Sequence, residues 1–202
     1  MKVLRILLTG LFLLAQAAPS FAVDRVYTLS ASVPAATGVT FTASSVNATG
    51  TPVFTPVTGS TLSFNPLAFN TTNQIWLPDH FFAVDISPTG GSGNTDSTFT
   101  YAETANPNTP GNGLGWKSKA TFMRVNGTVE TALTAHGTGG RKLLKDLAAE
   151  RVTPTELSGG RLRVYLGINT GDTTTPTGGE TFSNADQDGA YTGTLTISVT
   201  LV

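Results

Sequence analysis

The chain of 202 residues contains no cysteine, so disulfides, thiolate metal sites and a thiol nucleophile are all excluded. Stability must come from packing alone. Charge is scarce as well: Asp, Glu, Lys and Arg make up 12% of the chain, against about 25% in an average globular domain. A surface so poor in charge suits a protein that lives covered by neighbours. Histidine occurs only twice, at His80 and His136. No Gly-x-Ser-x-Gly elbow, His-Glu-x-x-His helix or phosphate-cradling loop is found, so no catalytic residue is assigned and no cofactor is expected. Asp79-His80 is the one adjacent pair with catalytic chemistry, and isolated Asp and Glu residues leave a carboxylate pair in space open.

Long apolar runs are missing too, apart from one near the start. Lys2 and Arg5 precede the run Ile6 to Leu14, and the small-residue site Ser20-Phe21-Ala22 follows. This is the pattern of a secretory signal peptide over residues 1–22, with the mature chain expected to begin at Val23. The run is about half the ~20 residues that cross a bilayer. Taking 22 from 202 leaves 180 residues, the size of one domain with a sizeable core. Losing Lys2 and Arg5 moves the formal charge from −1 to −3, which favours neither nucleic acid nor an anionic membrane as partner.

What is abundant is glycine, threonine and serine, in short alternating stretches separated by turn residues. Period-two stretches at Val39–Ala43, Thr61–Phe64, Phe81–Ile86, Ser97–Tyr101, Ala120–Val125, Arg161–Ile168 and Tyr191–Leu201 read as strands, with Gly/Pro/Asn/Asp punctuation between them. Many short strands favour an all-β sandwich over a parallel α/β sheet. One stretch departs from this. Arg141 to Arg151 places Leu143, Leu144, Leu147 and Ala148 at helical spacing, which predicts one short amphipathic helix with a solvated basic face.

The two ends carry the strongest alternation. In the N-terminal stretch, Tyr27, Leu29, Ala31 and Val33 share a face opposite Thr28, Ser30 and Ser32, and Pro34 follows. In the C-terminal stretch, Tyr191, Gly193, Leu195, Ile197, Val199 and Leu201 share a face opposite Thr and Ser. Two other motifs are weaker. Asn184-Ala185-Asp186-Gln187-Asp188-Gly189 imitates the start of a calcium loop, but the twelfth position is Leu195 where a bidentate Glu belongs, so no metal site is assigned and a polar turn is expected. Trp76 and Trp116 are candidates for stacking on sugars.

Tyr27-Thr28-Leu29-Ser30-Ala31-Ser32-Val33-Pro34 resembles the N-terminal extension of the cysteine-free alpha-type major pilins of chaperone–usher fimbriae, the colonisation-factor group. The stretch from Gly189 to Val199, with its Tyr-x-Gly step and alternating aliphatics, is similar to the last strand of the same group. The resemblance covers about a fifth of the mature chain.

It implies an incomplete immunoglobulin-like β-sandwich completed by a donor strand, with residues 23–34 as the donor extension and 35–202 as the pilin domain. Tyr27, Leu29, Ala31 and Val33 would be the donor residues, and Tyr191, Leu195, Ile197 and Val199 would line the acceptor groove. The implied function is structural: a subunit of a cell-surface fimbrium used in adhesion. The implied partners are identical subunits in a head-to-tail fibre, a periplasmic chaperone, an outer-membrane usher, and a host glycan or surface receptor. Burying four such donor side chains would contribute on the order of 6 to 10 kcal/mol by transfer, before the entropy of ordering is subtracted. The rival reading is a secreted carbohydrate-binding sandwich or adhesin that uses the two tryptophans. An outer-membrane barrel fits less well, because most of the strand candidates are too short and aromatic girdles are missing.

Overall fold

A computed structural model describes residues 26–32, 38–91, 93–108, 111–134 and 140–202. The leader, Val33, Pro34 and His136 lie outside the described residues. In chain order the strands are β1 (Val26–Ser32), β2 (Val39–Asn47), β3 (Phe54–Pro56), β4 (Thr61–Ser63), β5 (Leu67–Asn70), β6 (Ile75–Pro78) and β7 (His80–Pro88). They continue as β8 (Thr95–Ala105), β9 (Ser118–Asn126), β10 (Val129–Ala132), β11 (Arg141–Leu143), β12 (Glu150–Val152), β13 (Arg161–Ile168) and β14 (Ala190–Leu201).

They form two large sheets facing each other. One runs β12-β8-β14-β1-β4; the other runs β10-β9-β13-β7-β2-β3, with β11 also on the outer edge of β9. A separate hairpin pairs β5 with β6. The fold is therefore an all-β sandwich. Its long strands owe their place to alternation: in β13, Leu162, Val164, Leu166 and Ile168 point inward and are buried, while Arg161, Arg163 and Tyr165 point out. The sheets meet through such faces. Phe99 of β8 packs edge-on against Phe122 of β9, ring centroids 5.0 Å apart.

The helix expected over Arg141–Arg151 does not form. The segment instead changes sheets. β11 pairs with β9, with Leu143 opposite Lys119; a single 3-10 turn follows at Leu144–Asp146; β12 then pairs with β8, with Val152 opposite Ser97. Leu143, Leu144 and Leu147 are all buried, so their three-to-four spacing reports a corner wrapped around the core. Ala149, at φ 57°, adopts a left-handed conformation that no α-helix continues through.

The helices that do form are short and lie elsewhere. α1 (Leu114–Lys117) has its first amides held by the Glu103 carboxylate, which accepts from Leu114 N at 2.8 Å and Gly115 N at 3.1 Å. α2 (Pro154–Leu157) starts with proline and a capping box, in which the Thr153 amide donates to Glu156 at 2.6 Å. No helix among the described residues is long and apolar enough to cross a membrane.

Candidate functional site: the terminal-strand groove

Strand β1 lies between the longest strand of its sheet, β14, and the three-residue β4. On one side it pairs parallel with β14, Tyr27 opposite Tyr191 and Ala31 opposite Leu195; on the other it pairs antiparallel with β4, Leu29 opposite Leu62. The β1–β14 pair is the only parallel one among the described strands. Beyond β4 the Ala31 amide donates to the Ser60 carbonyl at 2.8 Å. From Thr28 to Ala31 both edges of β1 are thus hydrogen-bonded within its own chain.

The side chains follow the register expected from the alternation. Leu29 is fully buried and Ala31 half-buried against the core, whereas Ser30 is exposed. Of Tyr27 the structure fixes the backbone position opposite Tyr191, and Val33 lies outside the described residues. On β14, Tyr191, Leu195 and Ile197 are fully buried and Val199 is half-buried against the core. The described pairing ends with Ser32 opposite Thr196, so Tyr191 and Leu195 flank β1 directly while Ile197 and Val199 lie past its described end.

Opposite Leu29 stands Gly193, which gives β14 a step without a side chain. A Cβ built there would lie 2.2 Å from the Tyr101 hydroxyl, so the glycine makes room for the Tyr101 ring. Burial, with the Glu103 charge beside it, pushes the Tyr101 hydroxyl far above the ordinary phenol range. It donates to Glu103 at 3.1 Å, the same carboxylate that caps α1. The Tyr191 hydroxyl lies 2.6 Å from Asn108 Oδ1 and 2.7 Å from the Gln187 carbonyl. Its ring packs edge-on against Phe182 at 5.0 Å. At the other end of β1 an open cavity of about 430 Å³ lies beside Ala31, lined by half-buried Phe41, Ala43 and Val57 with Leu62 and Val84. The alanine methyl leaves that space unfilled.

The remaining candidates make contacts within the fold. His80 Nε2 is 2.9 Å from the Ser63 carbonyl and Nδ1 is 2.5 Å from Asp79, so the ring ties β7 to β4 across the sandwich. Trp76 is half-buried on Phe69 at 5.1 Å and packs against the core; Trp116 is one-third exposed with the Lys145 ammonium 4.1 Å from its ring centroid.

In the loop before β14, Asp186 is committed to protein partners. It pairs with the buried Lys117 ammonium at 2.9 Å and accepts from Ser183 N at 2.7 Å and Asn108 Nδ2 at 2.9 Å. Burial works to raise its pKa, but these donors outweigh it and hold the carboxyl below its ordinary value. Sequence reading missed this buried pair, since Lys117 and Asp186 lie in separate polar stretches with no shared pattern. Comparison with protein-family models, with curated proteins and with solved structures finds no match, so the reading of the groove rests on its own geometry.

Proposed function

We propose that this chain is an exported, non-enzymatic fibre subunit that polymerises head to tail by exchanging its N-terminal strand. In the isolated chain β1 closes its own groove; in the fibre it leaves, and the corresponding strand of a neighbour takes its place. One observation carries this reading: a strand at the start of the described chain fills the slot between β14 and β4, with Leu29 wholly buried in it. As the first described strand, β1 is joined to the rest of the described fold only through its link to β2.

Two features favour a neighbour's strand over the chain's own. The own strand reaches β2, in the facing sheet, through the short link 33–38, and it enters parallel to β14. A strand from another subunit is free of that tether and can run antiparallel to β14, where pairing is slightly more stable per residue, at the expense of a parallel pairing with the three-residue β4. It can also fill the cavity that Ala31 leaves open. Against this stands the high effective concentration of a tethered strand, on the order of millimolar. Exchange is therefore slow and is promoted by partners that hold the groove open. In the chaperone–usher reading these are a periplasmic chaperone strand and an outer-membrane usher. The interface is head-to-tail and does not close, which yields a fibre on the cell surface.

The test uses the full mature chain and a labelled peptide spanning residues 23–34. The mixture is warmed to just below the melting temperature, cooled, and analysed by size exclusion and intact mass. Stoichiometric peptide uptake by the monomer, together with chain-only multimers when peptide is omitted, is expected. A chain that stays monomeric and takes up no peptide makes β1 a permanent strand of a self-contained sandwich, and the proposal fails.

A further inference from the structure

The outward face of the sheet β9-β13-β7 carries a pit that strand exchange does not use. Leu166 pairs with Phe82 on one side and Gly167 with Lys119 on the other. Since Phe82, Leu166 and Ala120 point inward and are buried, their neighbours Phe81, Gly167 and Lys119 form a row on the outer face. The centre of that row has no side chain. Gly167 is not held there by its backbone: φ is not positive, and a Cβ would meet only the Phe81 Cβ, at an ordinary 3.7 Å. What the glycine provides is the floor of a depression of about 470 Å³.

Its walls differ in kind. On one side Phe81 and Tyr165 stand edge to face, 5.6 Å between centroids, and present an aromatic corner. On the other, Lys119 and Arg141 line the pit, and the loop following β13 closes it with Thr170, Asp172 and Thr174. Lys119 donates to the Thr174 carbonyl at 3.1 Å. Arg141 makes no ion pair among the described residues, so two cations face a single carboxylate, Asp172, whose oxygen also takes the Thr174 amide at 2.8 Å. Burial depresses the pKa of Lys119; Asp172 opposes this and the like charge of Arg141 adds to it. A bound anion would relieve both.

We propose that this pit binds an acidic sugar residue, a pyranose ring carrying a carboxylate or sulfate. Its C–H face lies against Phe81 and Tyr165, its anion sits between Lys119 and Arg141, and ring hydroxyls meet the threonines of the closing loop. The volume fits a ring-sized ligand, and the mixture of aromatic wall, hydroxyls and uncompensated positive charge matches a charged saccharide better than an apolar ligand. The site is independent of β1, so it stands or falls apart from the strand-exchange reading.

The experiment is calorimetric titration of the full mature monomer with four probes: a galacturonic acid tetrasaccharide, a heparin-derived sulfated tetrasaccharide, neutral maltotetraose and a tetraglutamate peptide. At least one acidic saccharide is expected to bind at least about tenfold more tightly than maltotetraose, and more weakly as salt screens the charges. The carboxylated and sulfated probes separate the two anion types. Gly167→Leu, which fills the floor, and Arg141→Gln, which removes the second cation, should each weaken binding about tenfold or more with melting temperature retained, while Arg151→Gln on the facing sheet leaves it unchanged. Absence of binding by both acidic saccharides, equal binding of tetraglutamate, or undiminished binding by both Gly167→Leu and Arg141→Gln would overturn the proposal.

Discussion

Leu29 of β1 and Leu62 of β4 stand directly opposite each other in the terminal-strand groove, and neither side chain reaches solvent. Their contact joins the part of the chain proposed to leave to the part that would stay behind. Because strand side chains alternate, the same stretch offers a matched control one residue away.

Leu29→Ala is expected to destabilise the monomer by about 2–5 kcal/mol, from lost transfer energy plus the cavity left behind. Ser30→Ala, on the exposed side, should stay within about 0.5 kcal/mol. Urea unfolding of both variants measures the difference. Equal effects would mean that β1 is not seated in this register.

Gly193→Ala should cost about 1–3 kcal/mol by overpacking, because the new methyl would lie 2.2 to 2.5 Å from the end of the Tyr101 ring. Shortening the ring's reach with Tyr101→Leu should relieve the clash. The two changes made together are expected to show a coupling above about 0.5 kcal/mol in a double-variant cycle. Additive losses would place the strain elsewhere.

The same glycine shows how far the sequence could be read. Strict alternation placed Tyr191, Gly193, Leu195 and Ile197 on one face of the last strand, and all four are buried in β14. The long strands β7, β8, β9 and β13 were legible for the same reason, since a strand buried on one face writes its period into the sequence. Strands of three or four residues, such as β3 and β12, are too short to display a period. Arg141 to Arg151 misled because leucines that reach the core from a strand and a sheet-crossing turn fall at helical spacing by coincidence. The Thr153-Pro154-Thr155-Glu156 capping signature does mark the start of α2 in the sequence. That β1 would meet β14 in parallel, inside its own chain, depends on how the link to β2 runs, and alternation does not encode strand direction.

Lys117→Met removes the cation from a pair that is almost fully buried, with 4% and 8% of the Lys117 and Asp186 side chains exposed, and takes the Lys117 ammonium from the Asp186 carboxylate. A loss of about 3–5 kcal/mol is expected. The pH dependence has a fixed sign. Asp186 has a folded pKa below its unfolded value near 3.9, so its contribution is complete above that value and is lost as pH falls through the lowered one. Acid titration of stability should therefore steepen below about pH 4 in the parent chain. In Asp186→Asn that portion of the slope should disappear; a parallel acid curve would assign it to other carboxylates.

Ala31→Leu separates two views of the cavity at the end of β1. If the space beside Phe41, Ala43 and Val57 is open as described, a larger side chain enters it without displacing its walls. The monomer should then gain about 0.5–2 kcal/mol, as cavity-filling changes commonly do. The strand-exchange reading adds a kinetic consequence. A better-anchored own strand leaves more slowly, so peptide uptake and multimer formation should both slow relative to the parent, in step with the gain in stability. Destabilisation by Ala31→Leu would show that the groove is already closed around the alanine methyl. Stabilisation with an unchanged exchange rate would show that departure of β1 does not limit exchange.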